Sequence, residues 1–192
     1  GYMWVEDVEQ LQDINTNLSG NYALRNSIDA TATSSWNDEG TDTDINEGFK
    51  SIGIDENGDI IKTDVNTDNG VVTKNGFYGK FDGLDYNIFG LTINRSGENN
   101  RSGENNVGLF GVVDGANINN VTLVGGSITG GRSVGAIVGS ARDSVISNST
   151  NSTAVNGDYN IGGIVGDAQN STLTNLINTG TIGVATGDGK RI

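Results

Sequence analysis

From residue 107 onward, apolar residues come in short bursts separated by Gly, Asn, Asp and Ser, and the bursts recur at a fixed interval. Val-Gly-Leu-Phe-Gly at 107–111, Val-Gly-Ala-Ile-Val-Gly at 134–139 and Ile-Gly-Gly-Ile-Val-Gly at 161–166 begin 27 residues apart, twice. Ile128, Val155 and Ile182 keep the same step. Ile118, Ile146 and Leu173 are separated by 28 and 27 residues, and Asn120, Asn148 and Asn175 follow two residues behind them. Such self-similarity is the first thing to weigh in a sequence, because repeats of this length build stacked architectures. Within the first unit, alternation of apolar and small polar residues predicts strands at 107–113, 117–124 and 127–129. Asp114-Gly115 and Gly125-Gly126 supply the turns between them.

Three strands and three turns per unit make one coil of a solenoid. The expected fold class is therefore all-β, a right-handed parallel β-helix with a short N-terminal helix. Coils stack at about 4.8 Å, so equivalent positions form columns along the axis. Ile128, Val155 and Ile182 are expected to form an aliphatic ladder, and Asn120, Asn148 and Asn175 an amide ladder at a corner. The competing reading is a sandwich of Gly-rich hairpins, which gives no reason for a constant repeat length.

Upstream the pattern changes. Apolar residues at 5, 8, 11, 14 and 18, with Glu6, Asp7 and Glu9 early and Ser19-Gly20 as a stop, predict an amphipathic helix over 5–18. It would serve as a cap or a linker. Residues 22–30 read as a first strand, 37–47 and 55–70 as acidic loops, and 77–94 as the bulkiest core segment. The expected organisation is 1–20 as helix, 21–106 as first coils with acidic insertions, and 107–192 as three repeats, with a longer array continuing past residue 192. Arg-Ser-Gly-Glu-Asn-Asn at 95–100 recurs verbatim at 101–106. That reads as a duplication within a surface loop, where six extra residues carry little entropic cost.

Composition narrows the function. Hydrophobic residues are only 34% and aromatics 6%, so the core must be thin; thirty glycines without a proline place turning on Gly, Asn, Asp and Ser. A net charge of -13 leaves no basic stripe for nucleic acid and disfavours anionic membranes. No apolar run reaches the roughly 18 residues of a spanning helix, so no membrane insertion is expected. No secretory leader is visible at residues 1–4; for an exported protein it is expected upstream. The chain has no Cys and no His, which excludes disulfides, imidazole bases, Ser–His triads and the usual zinc sites.

The unit starts and the Ile-x-Asn that follows them resemble the GLUG repeat of large bacterial surface proteins. The segment 18–30, then Trp36, then Gly-Phe-Lys-Ser-Ile-Gly at 48–53, resembles what precedes such repeats in filamentous-haemagglutinin-like exoproteins. Residues 79–83 and 88–94 continue it. The resemblance covers roughly residues 5 to 187. It implies a β-helical, secreted, adhesin-like protein at the bacterial cell surface, often of the two-partner secretion type, and carries over no catalytic residue. The acidic insertion at 54–75 departs from the expected shorter link.

Candidate chemistry is sparse. Asp82 and Asp85 flank a Gly-Leu turn and are a carboxylate pair of the kind a polysaccharide-processing enzyme needs. Only Lys80 and Tyr86 lie near to hold a sugar, so a turn is the simpler reading. Oxygen ligands two residues apart occur at Asp42-Thr-Asp44-Ile-Asn46-Glu47, at Asp55-Glu-Asn57-Gly-Asp59, and at Asp64, Asn66 and Asp68. The last set is the best calcium candidate, although none matches a full calcium loop. Asn-x-Ser/Thr sequons start at Asn17, Asn94, Asn100, Asn120, Asn148, Asn151 and Asn170. Thr172/Thr174 and Thr179/Thr181 do not recur at the 27-residue step, as an ice-binding face would require. The expected function is a non-catalytic adhesin or surface scaffold whose partner is a host-cell, bacterial or matrix ligand, glycans included. The alternatives are a self-associating filament or matrix subunit and a β-helix enzyme acting on polysaccharide.

Overall fold

The computed structural model describes residues 1–37, 47–95 and 105–184. The duplicated hexapeptide, apart from Arg95, Asn105 and Asn106, and the acidic stretch at 38–46 lie outside the described residues.

The chain is mostly β, with parallel sheets and one short α-helix. Strand β1 (Met3–Val5) leads into helix α1 (Val8–Gln12) and a 3₁₀ turn at Asp13–Thr16. The expected helix over 5–18 is therefore corrected to a single α turn flanked by other structure. Asp7 caps it by accepting from the Gln10 N–H at 2.8 Å. Val5 is drawn into β1, which pairs in parallel with β2 (Asn21–Leu24). Five residues cannot hold a helix by propensity; burial of Val8, Leu11, Ile14 and Leu18 against the main core does so.

The first strand predicted at 22–30 is also corrected: it breaks after Leu24 and resumes as β3 (Ile28–Asp29), before a 3₁₀ turn at Thr31–Ser35. Residues 62–75 are an antiparallel hairpin, β4 (Lys62–Thr67) and β5 (Gly70–Asn75), where a loop was expected through residue 70. The hairpin is extruded from a layer. Ile52 and Phe77 both bridge to the same later strand, at Phe110 and Val113. Gly53 and Gly76 sit at its two feet with φ of 91° and 73°, and a Cβ on Gly76 would lie 2.2 Å from the Val112 carbonyl oxygen. Only glycine fits there.

The repeat then unfolds layer by layer: β6 (Lys80–Asp82), β7 (Asn87–Phe89) and β8 (Thr92–Asn94); β9 (Asn105–Val107), β10 (Phe110–Asp114), β11 (Asn117–Asn119), β12 (Thr122–Val124) and β13 (Ser127–Thr129); β14 (Arg132–Gly135), β15 (Val138–Arg142), β16 (Val145–Asn151) and β17 (Ala154–Gly157); and β18 (Tyr159–Gly162), β19 (Val165–Gln169), β20 (Thr172–Asn178) and β21 (Ile182–Val184). Each strand pairs in parallel with its equivalent in the next layer: β9–β14–β18, β10–β15–β19, β6–β11–β16–β20 and β8–β13–β17–β21. The sheets run without interruption across residues 106 and 107, since β9 itself spans that point.

From β9 onward a unit thus runs through four sheets, in five strands where β11 and β12 are separate and in four where β16 or β20 is continuous, and the expected three is corrected. The predicted strand 107–113 divides at Gly108-Leu109, and its equivalents divide at the same place. The reason is a tight corner. A Cβ on Gly135 would lie 2.3 Å from the Val138 carbonyl oxygen, and one on Gly139 would lie 2.5 Å from the Asn106 carbonyl carbon. The paired glycines of each unit start let two sheets meet backbone to backbone.

Inward side chains stack in register. Tyr22, Phe81, Ile118, Ile146 and Leu173 form one column, and Phe110, Val138 and Val165 another. Phe77 and Phe81 pack on Phe110 with ring centroids 5.1 and 5.3 Å apart. The core is thus aromatic in its early layers and aliphatic in the later ones.

Candidate functional site

The turns between sheets are built from left-handed residues in columns. Asn106, Ser133 and Asn160 form one, Gly115, Asp143 and Asn170 a second, and Asn120, Asn148 and Asn175 a third, the non-glycine members with φ between 48° and 57°. Asn and Asp tolerate this region better than other side chains, which accounts for turning without proline.

Ile128 pairs with Val155 and Val155 with Ile182, with Ile93 adjoining Ile128 in the layer before. The asparagine corner is less regular than expected. Asn175 Nδ2 donates to Asn148 Oδ1 at 3.0 Å, but Asn148 Nδ2 donates to Asn119, one residue off, at 2.9 Å. Asn120 turns to Asp82 Oδ1 at 2.9 Å.

Two polar columns were not anticipated. Asn151 is fully buried; its Nδ2 donates to the carbonyls of Thr153 and Gly163 and to Asn178 Oδ1, and its Oδ1 accepts from the Thr153 N–H. Ser144 Oγ accepts from the amides of Gly115 and Ala116, and the Ser144 N–H donates to Ser171 Oγ. Both pairs, 151/178 and 144/171, keep the 27-residue step and were legible on that ground. Buried polar groups are tolerated because they are bonded from layer to layer.

The outward face carries columns of small, mostly polar groups. Asp82, Asn119, Ser147 and Thr174 align in one, and Asn94, Thr129, Asn156 and Gly183 in another. This is a repeating, hydrogen-bonding surface with a spacing of about 4.8 Å.

The calcium candidates Asp64 and Asn66 lie two apart on β4, an extended strand, with Asp68 in the turn beyond it. Asp64 Oδ1 already accepts from Thr73 Oγ at 2.6 Å. A strand sets such oxygens in a row roughly 6.8 Å apart, whereas calcium needs six to eight around a point. Asp55 turns its Oδ1 to the amides of Asn57 and Asp59. Asp42, Asp44 and Asn46 lie outside the described residues, and Glu47 is ion-paired with Arg95. Among the described residues no group of three or more Asp or Glu side chains converges on a cation position.

Asp82 and Asp85 share one turn, with Leu84 and Asp85 left-handed; Asp82 Oδ1 accepts from the Leu84 N–H at 3.0 Å. Among the sequons, Asn151 is sealed in the core, Asn120 and Asn148 spend their amides on inter-layer bonds, and Asn17 and Asn170 are exposed. A shallow cleft of about 210 Å³ is lined by Gln12, Asn15, Trp36, Asn37 and Lys50. Its three side-chain amides are committed to backbone, Gln12 to the N–H and C=O of Lys50, Asn15 to Gly53 and Ile54, and Asn37 to the Gly48 carbonyl.

The chain is similar to Halomucin. Over 150 residues it is 32% identical to that protein of Haloquadratum walsbyi, a stretch that takes in 77% of this chain and 1% of Halomucin. The chain therefore spans a very small fraction of the relative it matches. No family model matches the sequence, and no solved structure matches it.

Proposed function

We propose that the chain is a segment of a right-handed parallel β-helix that acts as a non-catalytic, surface-exposed scaffold and attachment element. The observation that carries this is the unbroken parallel register at 27 to 28 residues, shared by four sheets. Parallel crossovers are right-handed almost without exception, which sets the hand. Likeness to a surface protein of a halophile supports an extracellular location, and the GLUG-like unit starts agree with it. An acidic exterior with polar columns presents a repeating polar surface to a ligand. Weak contacts repeated along a rigid axis add up through effective concentration.

The support for a non-catalytic role is chemical. The carboxylates that could have formed an acid–base pair, Asp82 and Asp85, belong to one turn, with Asp82 holding that turn and Asn120. The test is adhesion of beads coated with the chain to mammalian cells, bacterial cells and matrix proteins under flow, beside a turnover screen on uronic-acid and neutral glycans. The proposal expects retention on at least one surface that scales with coating density, and no turnover. Turnover lost on Asp82→Asn would overturn it.

A further inference from the structure

The β4–β5 hairpin is a two-stranded ribbon set outside the stack, and such a ribbon is marginal in water without a third strand or a packed face. Its apolar pair, Val65 opposite Val72, does not belong to the main core of the described residues, and Val71 and Val72 are 64% and 45% exposed. The two edges of the ribbon differ. Thr67 and Gly70 close the two-residue turn, and at the foot the Gly76 N–H bonds the Ile61 carbonyl at 2.8 Å. Hydrogen-bonded pairs therefore fall at 67/70, 65/72 and 63/74, so Lys62, Asp64 and Asn66 on β4, and Val71, Thr73 and Asn75 on β5, turn their peptide groups outward. Asp114 occupies the β5 edge: its carboxylate accepts from the Asn75 N–H at 3.1 Å and from Asn75 Nδ2 and Lys74 Nζ at 3.3 Å. Among the described residues the outer edge of β4 meets no strand, and Lys62, Asp64, Asn66 and Asp68 are all exposed along it.

We propose that the outer edge of β4 is a pairing surface for the same edge of a second copy of the chain, the two hairpins joining about a two-fold axis at Val65 into one four-stranded antiparallel sheet. Self-complementary edges of this kind are what a two-fold dimer needs. On one face of that sheet Val72 and Val65 of one copy line up with Val65 and Val72 of the other, an apolar row across four strands. The proposal does not rest on the attachment role, and dimerisation is read separately from surface retention.

The charges choose this register, since charged edge residues oppose most pairings. Outward residues must face outward residues. An axis at Asp64 sets its two carboxylates opposite one another, and an axis at Asn66 sets Asp64 against Asp68 twice. An axis at Thr63 pairs Lys62 with Asp64, but drives the Asp68-Asn69 turn past residue 61 and into the layers of the second copy. An axis at Thr67 leaves no pair of strand residues beyond Thr67 itself. With the axis at Val65, Asp64 and Asn66 exchange peptide hydrogen bonds with Asn66 and Asp64 of the second copy. Lys62 then lies against Asp68 of that copy at both ends, and each turn stops at the other's foot. The β5 edge offers only Val71 and Thr73, because Asp114 holds Asn75.

Sedimentation equilibrium of the full chain at low ionic strength, from about 10 µM to about 1 mM, is expected to show reversible dimerisation at the weak end of protein association, as so short an edge gives. Lys62→Asp or Asp68→Lys alone is expected to weaken the dimer by about tenfold or more, and the two together to restore it to within about threefold of the parent. Val65→Cys is expected to oxidise to a covalent dimer, since the axis brings the two copies of that position face to face. Thr63→Cys, which faces Thr67 of the second copy, is expected to stay reduced. All four positions lie on the ribbon outside the stack, so circular dichroism of each variant should match the parent. A chain that stays monomeric across the range overturns the proposal. So does a dimer indifferent to the charge reversals, or one that cross-links equally through both cysteines.

Discussion

Replacing Asn151 by Ala removes a fully buried amide that makes four hydrogen bonds between 2.9 and 3.0 Å. Each such bond contributes about 1 kcal/mol net, and a buried partner left unbonded costs about 1 to 3 kcal/mol. Two of the four partners regain water: Asn178 is exposed and Gly163 is half-buried. The Thr153 peptide, by contrast, belongs to a fully buried residue. The net cost is therefore about 2 to 3 kcal/mol, or a Tm lower by roughly 5 to 10 °C for a chain of this size. Asn148→Gly is the comparison, since glycine tolerates the left-handed backbone that Asn148 adopts. It breaks bonds of the same kind at the exposed corner, where water replaces them, and should cost about 0.5 kcal/mol or less. Urea unfolding monitored by circular dichroism reads both. Equal effects of the two substitutions, or an Asn151→Ala change below about 0.5 kcal/mol, would refute the claim that this column is a structural element of the core.

Gly139→Ala puts a Cβ 2.5 Å from the Asn106 carbonyl carbon and 2.6 Å from the Val107 nitrogen; thermal unfolding should show a loss of about 2 to 3 kcal/mol, as overpacking of a rigid site does. Replacing residues 63–73 by a short Gly-Ser link should leave Tm within a few degrees, because this outer part of the hairpin projects beyond Ile61 and Lys74, the residues that tie it to the core and to Asp114. Asp114→Ala frees that hairpin from Lys74 and Asn75, which it holds at 3.1 to 3.3 Å; limited proteolysis should then cut within 62–75 before the core unfolds. The Asp29 carboxyl, bonded by the Thr31 hydroxyl and then the Thr31 N–H, is held below the ordinary aspartate range. Its contribution is present above the unfolded-state value and lost as pH falls through the lowered folded one, so NMR titration should find Asp29 protonating below the ordinary aspartate range, and Thr31→Val, which removes the hydroxyl but keeps the N–H bond, should reduce that lowering.

The 27-residue step made the column positions readable because an inward residue in a stacked sheet has no choice but to recur. Ile128, Val155 and Ile182 stood out on spacing alone. The corner at Gly108 and Gly135 did not, since a strand that bends between glycines has the same apolar pattern as a straight one. The N-terminal helix was overestimated because apolar spacing over 5–18 ignores the pull of a sheet edge on Val5. Asn151 and Ser144 passed unnoticed as polar residues in a polar sequence; their partners at 178 and 171 were the available signal. The calcium expectation came from residue spacing that a strand and a loop share, and the structure places Asp64 and Asn66 on the strand.

Register is the claim on which the rest depends, and the absence of native cysteine makes it directly measurable. In the double variant Thr129→Cys, Asn156→Cys, the two positions are paired Cα partners in adjacent layers, at a separation of about 4.8 Å that a disulfide spans. Mild oxidation of the folded chain should close that bond rapidly, while Thr129→Cys with Asp158→Cys, two residues out of register, should remain reduced. Equal cross-linking of both pairs, or closure of only the second, would contradict the stacked arrangement.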